Sequence, residues 1–444
     1  MLKATTAALC GWETAGKYDV CVVGAGPAGI GAALSAARNG LSVVLVESCG
    51  YAGGIATKSL VPNIFNLGLD GVQITGGIAD ELIRRMDAKG DVRFNDSCVH
   101  VEPEPIGNRP LTMRVTVRIE SLKLEYRRML EEAGVVCQFY TRMVDAVVGD
   151  DGRIDALLIS RFEGPGLLYA ETFIDATGDG LVFAAAGASM RKISPELQMH
   201  KSMFFYVAGV EKFDHEENCR IYKELYNQGK VPGNVWEYFG YSQSLDLGLY
   251  NIGICRTEGE AVSSADMSRM DQVLREDVFR VMDFLHEKMP GFKNCYLVST
   301  PEQVGVRSGW GIAGIEDITM EYIDSGNSTS EPIALISRCY GAHSSRKGKC
   351  AAAWYKEQPG AIGLPMRTML SPDIPNAVAA GRCISSDPYT IGTFRMISTC
   401  IAMGQAAGIM ARVARDSSES VRQVAYEPVR EKLLQAGAIL TCEK

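Results

Sequence analysis

Residues 24–29 read Gly-Ala-Gly-Pro-Ala-Gly, a G-x-G-x-x-G turn set between a β-branched run and a small-residue run. Few other motifs constrain a chain so tightly. Gly24 permits the tight turn, Gly26 lets a pyrophosphate approach the backbone, and Gly29 lets the following helix pack closely on the strand. The N–H groups that open that helix, with the positive end of its dipole, face the anion. Val20–Val23 reads as the strand, Ala28–Arg38 as the helix ended by Asn39-Gly40, and Val43–Val46 as a second buried strand. Glu47 closes that strand, eighteen residues beyond the last glycine. A carboxylate there accepts hydrogen bonds from ribose hydroxyls and repels a 2′-phosphate. A glycine-rich packing turn would need no acid at that point. Strand, turn, helix, strand and acid together predict dinucleotide binding. A further Gly-Gly at Gly53-Gly54 leaves room for an extended cofactor beyond the ribose, which favours FAD over NAD.

The chain has 444 residues, which suggests two interleaved units, and its 46% hydrophobic content is enough for a sizeable core. A net charge of -8 argues against a nucleic-acid partner, which needs clustered Lys and Arg. The 13 cysteines are odd in number and form no C-x-x-C, and the five histidines are scattered. These patterns predict reduced buried thiols in a cytoplasmic protein and no metal site. No apolar run is read as approaching the roughly 20 residues of a membrane span. Residues 1–17 are expected to be a loose N-terminal extension, not a signal peptide.

The amphipathic stretch from Leu122 to Ala133, with Gly134 as its C-cap, predicts a helix. Strands are expected at Val135–Tyr140, Val144–Val148, Ile154–Ser160 and Tyr169–Ile174, with a hairpin at Asp150-Asp151-Gly152. The middle mixes strands (Ser202–Val207, Leu247–Ile254, Ile333–Arg338) with one long helix whose apolar stripe runs from Met270 to Leu285 before Pro290. The expected fold is α/β: a discontinuous Rossmann-type domain (18–75, 120–190 and 361–430) with an inserted β-meander, plus an α+β substrate or cap domain (76–119 and 191–360).

Glu47 to Thr57 (ESCGYAGGIAT), Ile174 to Gly180 (IDATGDG) and the stretch from Asn376 to Ala411 resemble the FAD-dependent oxidoreductases related to succinate dehydrogenase and fumarate reductase flavoproteins. Val72 to Met86 and Pro290-Gly291-Phe292 add to the likeness. The resemblance implies FAD. It implies that Gly24, Gly26, Pro27, Ala28 and Gly29 hold the pyrophosphate, with Glu47 and the neighbouring Ser48 at the adenosine ribose. Gly53, Gly54, Ile55, Ala56 and Thr57 would follow the ribityl chain and flavin edge, and Val144 would meet adenine through its backbone. Ala176, Thr177 and Gly178 would pass the adenosine side, and Gly381 and Arg382 the ribityl chain. The helix after Gly392, with Phe394, Arg395 and Thr399, would aim its N-terminus at the flavin pyrimidine ring. A helix N-terminus and a guanidinium there stabilise the anionic reduced flavin. Gly404 to Gly408 is read as small-residue helix packed on the sheet.

The flavin carries the redox step, so the protein must position a substrate bond and supply an acid or base. Three residues are candidates: His343 as acid or base, and Arg367 and Arg307 as contacts to a substrate carboxylate or carbonyl. Arg367 also fits a structural ion pair. Tyr340 and Tyr389 are candidates for the pocket wall. Many relatives carry a second arginine soon after the position of Arg307; here Ser308-Gly309-Trp310 follows, which suggests a less anionic or an aromatic substrate. A second formal match, Gly309 to Gly314, holds bulky Trp310 and is read as strand–turn–strand in the cap. A real nicotinamide turn there would support an NAD(P)H-using flavin monooxygenase. The leading expectation is a dehydrogenase or reductase moving a hydride between flavin N5 and a small organic substrate; a non-catalytic electron-transfer subunit is the rival from another class. A redox partner, nicotinamide and homo-oligomerisation stay open.

Overall fold

Strand β1 (Glu13–Val23) ends in Val20, Cys21, Val22 and Val23, all buried, as a strand covered on both faces requires. The computed structural model describes residues 12–69, 72–95, 112–338 and 360–442. Helix α1 (Pro27–Arg38) opens on Pro27, which needs no N–H partner, and stops at Asn39 with Gly40 at φ +79°. Strand β2 (Val43–Val46) returns parallel to β1.

The seven-stranded sheet runs in the order Val136–Gln138, β2, β1, Gly164–Asp175, Ile154–Arg161, Arg142–Val148. The long strand Gly164–Asp175 divides its partners. Its last residues pair in parallel with Ala377–Ala379, and its first half pairs antiparallel with Ile154–Arg161, making the expected meander. The hairpin closes where the Gly149 N–H donates to the Arg153 carbonyl at 2.9 Å.

The helix Ile397–Ser417 lies across α1, not on the sheet as expected for Gly404–Gly408. A Cβ on Gly404 would sit 1.9 Å from the Ala28 carbonyl oxygen, and one on Gly31 would sit 2.2 Å from that of Ile401. The helix also corrects the reading of hydropathy. Its 21 residues, with mean hydropathy 1.3 in the most apolar window, are long and apolar enough to cross a membrane, yet 89% of that window is buried inside the fold.

Three domain boundaries move. Glu13 to Lys17 pair with Gly166 to Tyr169, so these residues are strand and not loose extension. Asn63–Leu69 joins Thr112–Val117 and Val92–Asn95 in one sheet, so the expected cut at 75/76 divides a sheet. Helix Gly77–Asp87 and strand Pro332–Ser337, both expected in the cap, bury Ile78, Leu82 and Ile333 in the same core as Leu364 of strand Ala361–Pro365, with which Pro332–Ser337 pairs.

The cap keeps its own core. An antiparallel sheet of Tyr241–Gln243, Tyr250–Thr257, Lys201–Ala208 and Tyr296–Ser299 packs against helix Ser264–Lys288 through Met203, Phe205, Leu274, Val278 and Leu285. That helix starts where the Ser263 hydroxyl accepts the Asp266 N–H. The strand expected from Leu247 begins three residues later, because Gly248 at φ +72° turns the chain and leaves Leu247 exposed.

Candidate functional site: a dinucleotide cradle

The turn is held from three sides. The Gly24 N–H donates to the Val46 carbonyl at 2.8 Å, and the Gly53 N–H to the Ala25 carbonyl at 2.8 Å. A Cβ on Gly29 would fall 1.7 Å from the Gly24 oxygen, so the third glycine lets α1 fold onto its own turn. Gly54, at φ +52°, brings its Cα side against Gly26, where a Cβ would lie 2.8 Å from the Gly26 Cα. The second Gly-Gly therefore packs on the first turn instead of only leaving space. It opens helix α2 (Ile55–Lys58), whose Thr57 hydroxyl donates to the Ala52 carbonyl at 3.0 Å. A Cβ on Gly26 itself would meet nothing nearer than 3.9 Å, so the backbone there stays open to close approach. No side chain caps α1 at Gly26.

Glu47 is 5% exposed and fully engaged on one side. Its Oε2 accepts the Ala25 N–H at 2.9 Å; its Oε1 accepts the Cys49 N–H at 2.9 Å, the Ser48 hydroxyl at 3.0 Å and Lys58 Nζ at 2.6 Å. Burial alone would push this carboxyl up, but the Lys58 charge and these donors hold it below the usual carboxylate range. Lys58 is a residue the sequence reading missed. A buried acid demands a cation within reach, and that demand was the signal available.

Asp175, completely buried at the end of its strand, accepts the Thr177 N–H and hydroxyl and the Val182 N–H. It ties the Ala176-Thr177-Gly178 turn to the next helix. A Cβ on Gly24 would lie 2.6 Å from the Ala176 oxygen, which sets this turn directly beside the first. Arg382 Nη2 pairs with Asp179 Oδ2 at 2.9 Å. Among the described residues, Arg382 Nη1 and Asp179 Oδ1 are buried without a hydrogen-bond partner. Gly381, at φ +94°, sits against Ala28.

Gly392 and Phe394 are buried in the short helix Ile391–Phe394 that precedes helix Ile397–Ser417. The longer helix starts at Met396 with no side-chain cap. In its first turn the Thr399 hydroxyl is fully buried and has no hydrogen-bond partner among the described residues; Arg395, just before the helix, has its Nε shielded from solvent. An open glycine backbone, an uncapped helix start and the buried Thr399 hydroxyl and Arg382 Nη1, unpartnered among the described residues, fit an extended dinucleotide carrying a flavin.

Val144 is exposed on the strand Arg142–Val148, close in sequence to Tyr140, whose hydroxyl lies where a Gly50 Cβ would be. Phe162, 88% exposed, packs on Tyr140 at 5.8 Å between centroids. Two exposed aromatic rings thus stand beside the loop that carries Glu47. The sequence reading passed over both, since neither lies in a motif.

The catalytic candidates do not converge. His343 and Tyr340 lie outside the described residues. Arg367 is half exposed and paired with Glu331 at 3.0 Å, which is the structural ion pair and not a buried contact. Tyr389 is half buried in the turn before Ile391–Phe394. Arg307 is buried; its Nη1 donates to the His200 carbonyl at 3.0 Å and the Ser202 hydroxyl at 2.8 Å, and burial pulls its pKa down, with no ion pair to a carboxylate among the described residues. Lys201 nearby is 0% exposed, with Nζ on the neutral Gln198 Oε1 at 2.7 Å; burial, then Arg382, brings its ammonium to about 8. The Gly309–Gly314 segment forms a two-residue strand, Gly311–Ile312, antiparallel to Met190–Arg191, and opens no helix. It lacks the architecture of a second dinucleotide turn.

A sheet with parallel strands, a glycine turn, a buried acid at the end of its second strand and an inserted meander defines an FAD-binding oxidoreductase fold. The chain belongs to the FAD dependent oxidoreductase family, whose model matches residues 19–433. It is an FAD-dependent enzyme. A 68-residue stretch is 47% identical to a 3-oxosteroid 1-dehydrogenase of Mycolicibacterium smegmatis, covering 14% of this chain and 12% of that protein. Among solved structures, a flavoprotein/dehydrogenase from Cytophaga hutchinsonii superposes with TM-score 0.48 at 15% identity over 95% of this chain and 83% of that one. A p-nitrophenol 4-monooxygenase from Pseudomonas putida gives 0.47 at 13% over 96% and 85%.

Proposed function

We propose that the chain is a flavin-dependent dehydrogenase or reductase of a small organic molecule. Bound FAD supplies hydride exchange at N5. The residues of this chain bind, orient and polarise. Gly24, Gly26 and Gly29 with the start of α1 would cradle the pyrophosphate, Glu47 the adenosine ribose, and the Val144 backbone the adenine. Arg382 would meet the ribityl side, and the start of helix Ile397–Ser417, with Arg395 and Thr399, the pyrimidine ring. The reading is carried by the buried Thr399 hydroxyl and Arg382 Nη1, which have no hydrogen-bond partner among the described residues and belong to segments whose Gly381 and Gly404 pack on Ala28 of α1. Such groups cost stability unless a ligand satisfies them.

Buried Arg307 is the substrate-facing cation we favour, because no carboxylate among the described residues pairs with it and Arg367 is already paired. The test is anaerobic. The FAD-loaded protein is mixed with a panel of oxidisable small molecules, with reducible ones after photoreduction, and with NADPH alone. Bleaching or recovery of the flavin band by a member of the panel is expected, and it should fall at least about tenfold in Arg307→Met. Fast bleaching by NADPH alone, with the panel inert, would replace this reading with the monooxygenase one.

A further inference from the structure

Glu47 and Lys58 are both buried, and they form a contact that the family reading does not include. Its geometry decides which carboxylate oxygen is left for a ligand. A carboxylate oxygen has about two lone-pair directions. Oε1 already receives three donors, from Lys58, Cys49 and Ser48, while Oε2 receives one, from Ala25. Only Oε2 keeps capacity for a ribose hydroxyl.

We propose that Lys58 is a positioning residue for the adenosine-ribose carboxylate: it occupies Oε1 of Glu47 and turns Oε2 toward the sugar. The proposal rests on the ribose role of Glu47. Lys58 is itself fixed from two sides. Its N–H donates to the Gly54 carbonyl at 2.8 Å, which ties it to the second glycine turn. Its carbonyl accepts the N–H groups of Glu302 and Gln303, at 3.0 and 3.2 Å, which ties it to the cap segment. The charged and titratable groups facing the pair are Cys49 and Tyr51 from the intervening loop, Glu302 from the cap segment, and Lys123 and Glu120 from helix Ile119–Glu132. Glu302 is occupied elsewhere: it accepts from the Cys49 thiol at 3.3 Å and from the Tyr51 hydroxyl, and Lys123 lies over the Tyr51 ring at 4.3 Å. Lys58 is therefore the cation in direct contact with Glu47, and it keeps that carboxylate ionised. Burial is the largest influence on the Glu47 carboxyl and acts to raise its pKa; the Lys58 charge is the next and opposes it.

The experiment measures the FAD dissociation constant against pH for the full chain and for Lys58→Met, Glu47→Gln and the double variant. Lys58→Met is expected to weaken FAD at least about tenfold at neutral pH and to move the acid limb of binding upward by about one pH unit or more. Glu47→Gln is expected to bind weakly with no acid limb, and the double variant to match Glu47→Gln, because Lys58 acts through Glu47. An unmoved pH profile in Lys58→Met overturns the proposal while leaving the ribose role intact. Unchanged affinity in Glu47→Gln overturns the ribose role itself. Should Lys58→Met not fold alone, the comparison of Glu47→Gln with the double variant decides: equal affinities support the proposal, and a further tenfold loss on adding Lys58→Met refutes it.

Discussion

Thr399 shows how a single side chain carries information about a ligand. Its hydroxyl is wholly buried and, among the described residues, without a partner, an arrangement that costs about 1–3 kcal/mol. Valine has nearly the same shape and no such debt. Thr399→Val should leave the FAD-free protein as stable or more stable, by about 1 kcal/mol, and yet weaken FAD several-fold. Thermal melts with and without FAD check both arms; a destabilised apoprotein with unchanged FAD affinity would remove Thr399 from the site. At this scale the sequence was legible where chemistry sits inside a motif. Gly24, Glu47 and Thr399 were all singled out. Lys58, Lys201 and the Tyr140–Phe162 pair were not, because their meaning comes from what burial or folding brings beside them. Arg367 stayed open between a substrate contact and an ion pair for the same reason: Glu331, its partner, is 36 residues away in sequence.

Among the elements, the packing of α1 against helix Ile397–Ser417 fixes the geometry of the cradle, since both helices begin at it. The two backbones approach closely through Gly31, Gly404 and Gly408. Gly404→Ala would drive a methyl into the Ala28 carbonyl and should cost about 1–3 kcal/mol or more, with loss of FAD following the helix displacement. Gly134→Ala is the contrast: its φ is +72°, but nothing lies within 4 Å of its Cβ, so about 1 kcal/mol of backbone strain is all it should cost. Urea unfolding of the two variants separates them, and equal losses would contradict the close-packed reading. Element types were legible from periodicity and turn residues: α1, β2, the meander and the cap helix all fall where expected. The partner of helix Ile397–Ser417 was not legible, because a small-residue surface fits a sheet or another helix equally well. Its apolarity, likewise, reports burial on every side.

For the whole molecule, two cores explain the two units: one under the parallel sheet and one between the cap sheet and helix Ser264–Lys288. That the chain's end returns to the first sheet was legible, because strand-turn-helix patterns recur at both ends, and Ala377–Ala379 does pair with Gly164–Asp175. The boundaries were not, since sheet partners such as Asn63–Leu69 with Thr112–Val117 lie far apart in sequence and a strand's pairing leaves no local mark. The FAD site proposed above depends on the glycine cradle and its acid. Titrating the cofactor-stripped, folded protein with FAD and reading the visible spectrum after gel filtration tests that claim most directly. The account predicts retention of a single FAD per chain, with Glu47→Gln failing to retain it; a protein that melts cooperatively, yet emerges colourless after saturation with FAD, would contradict it.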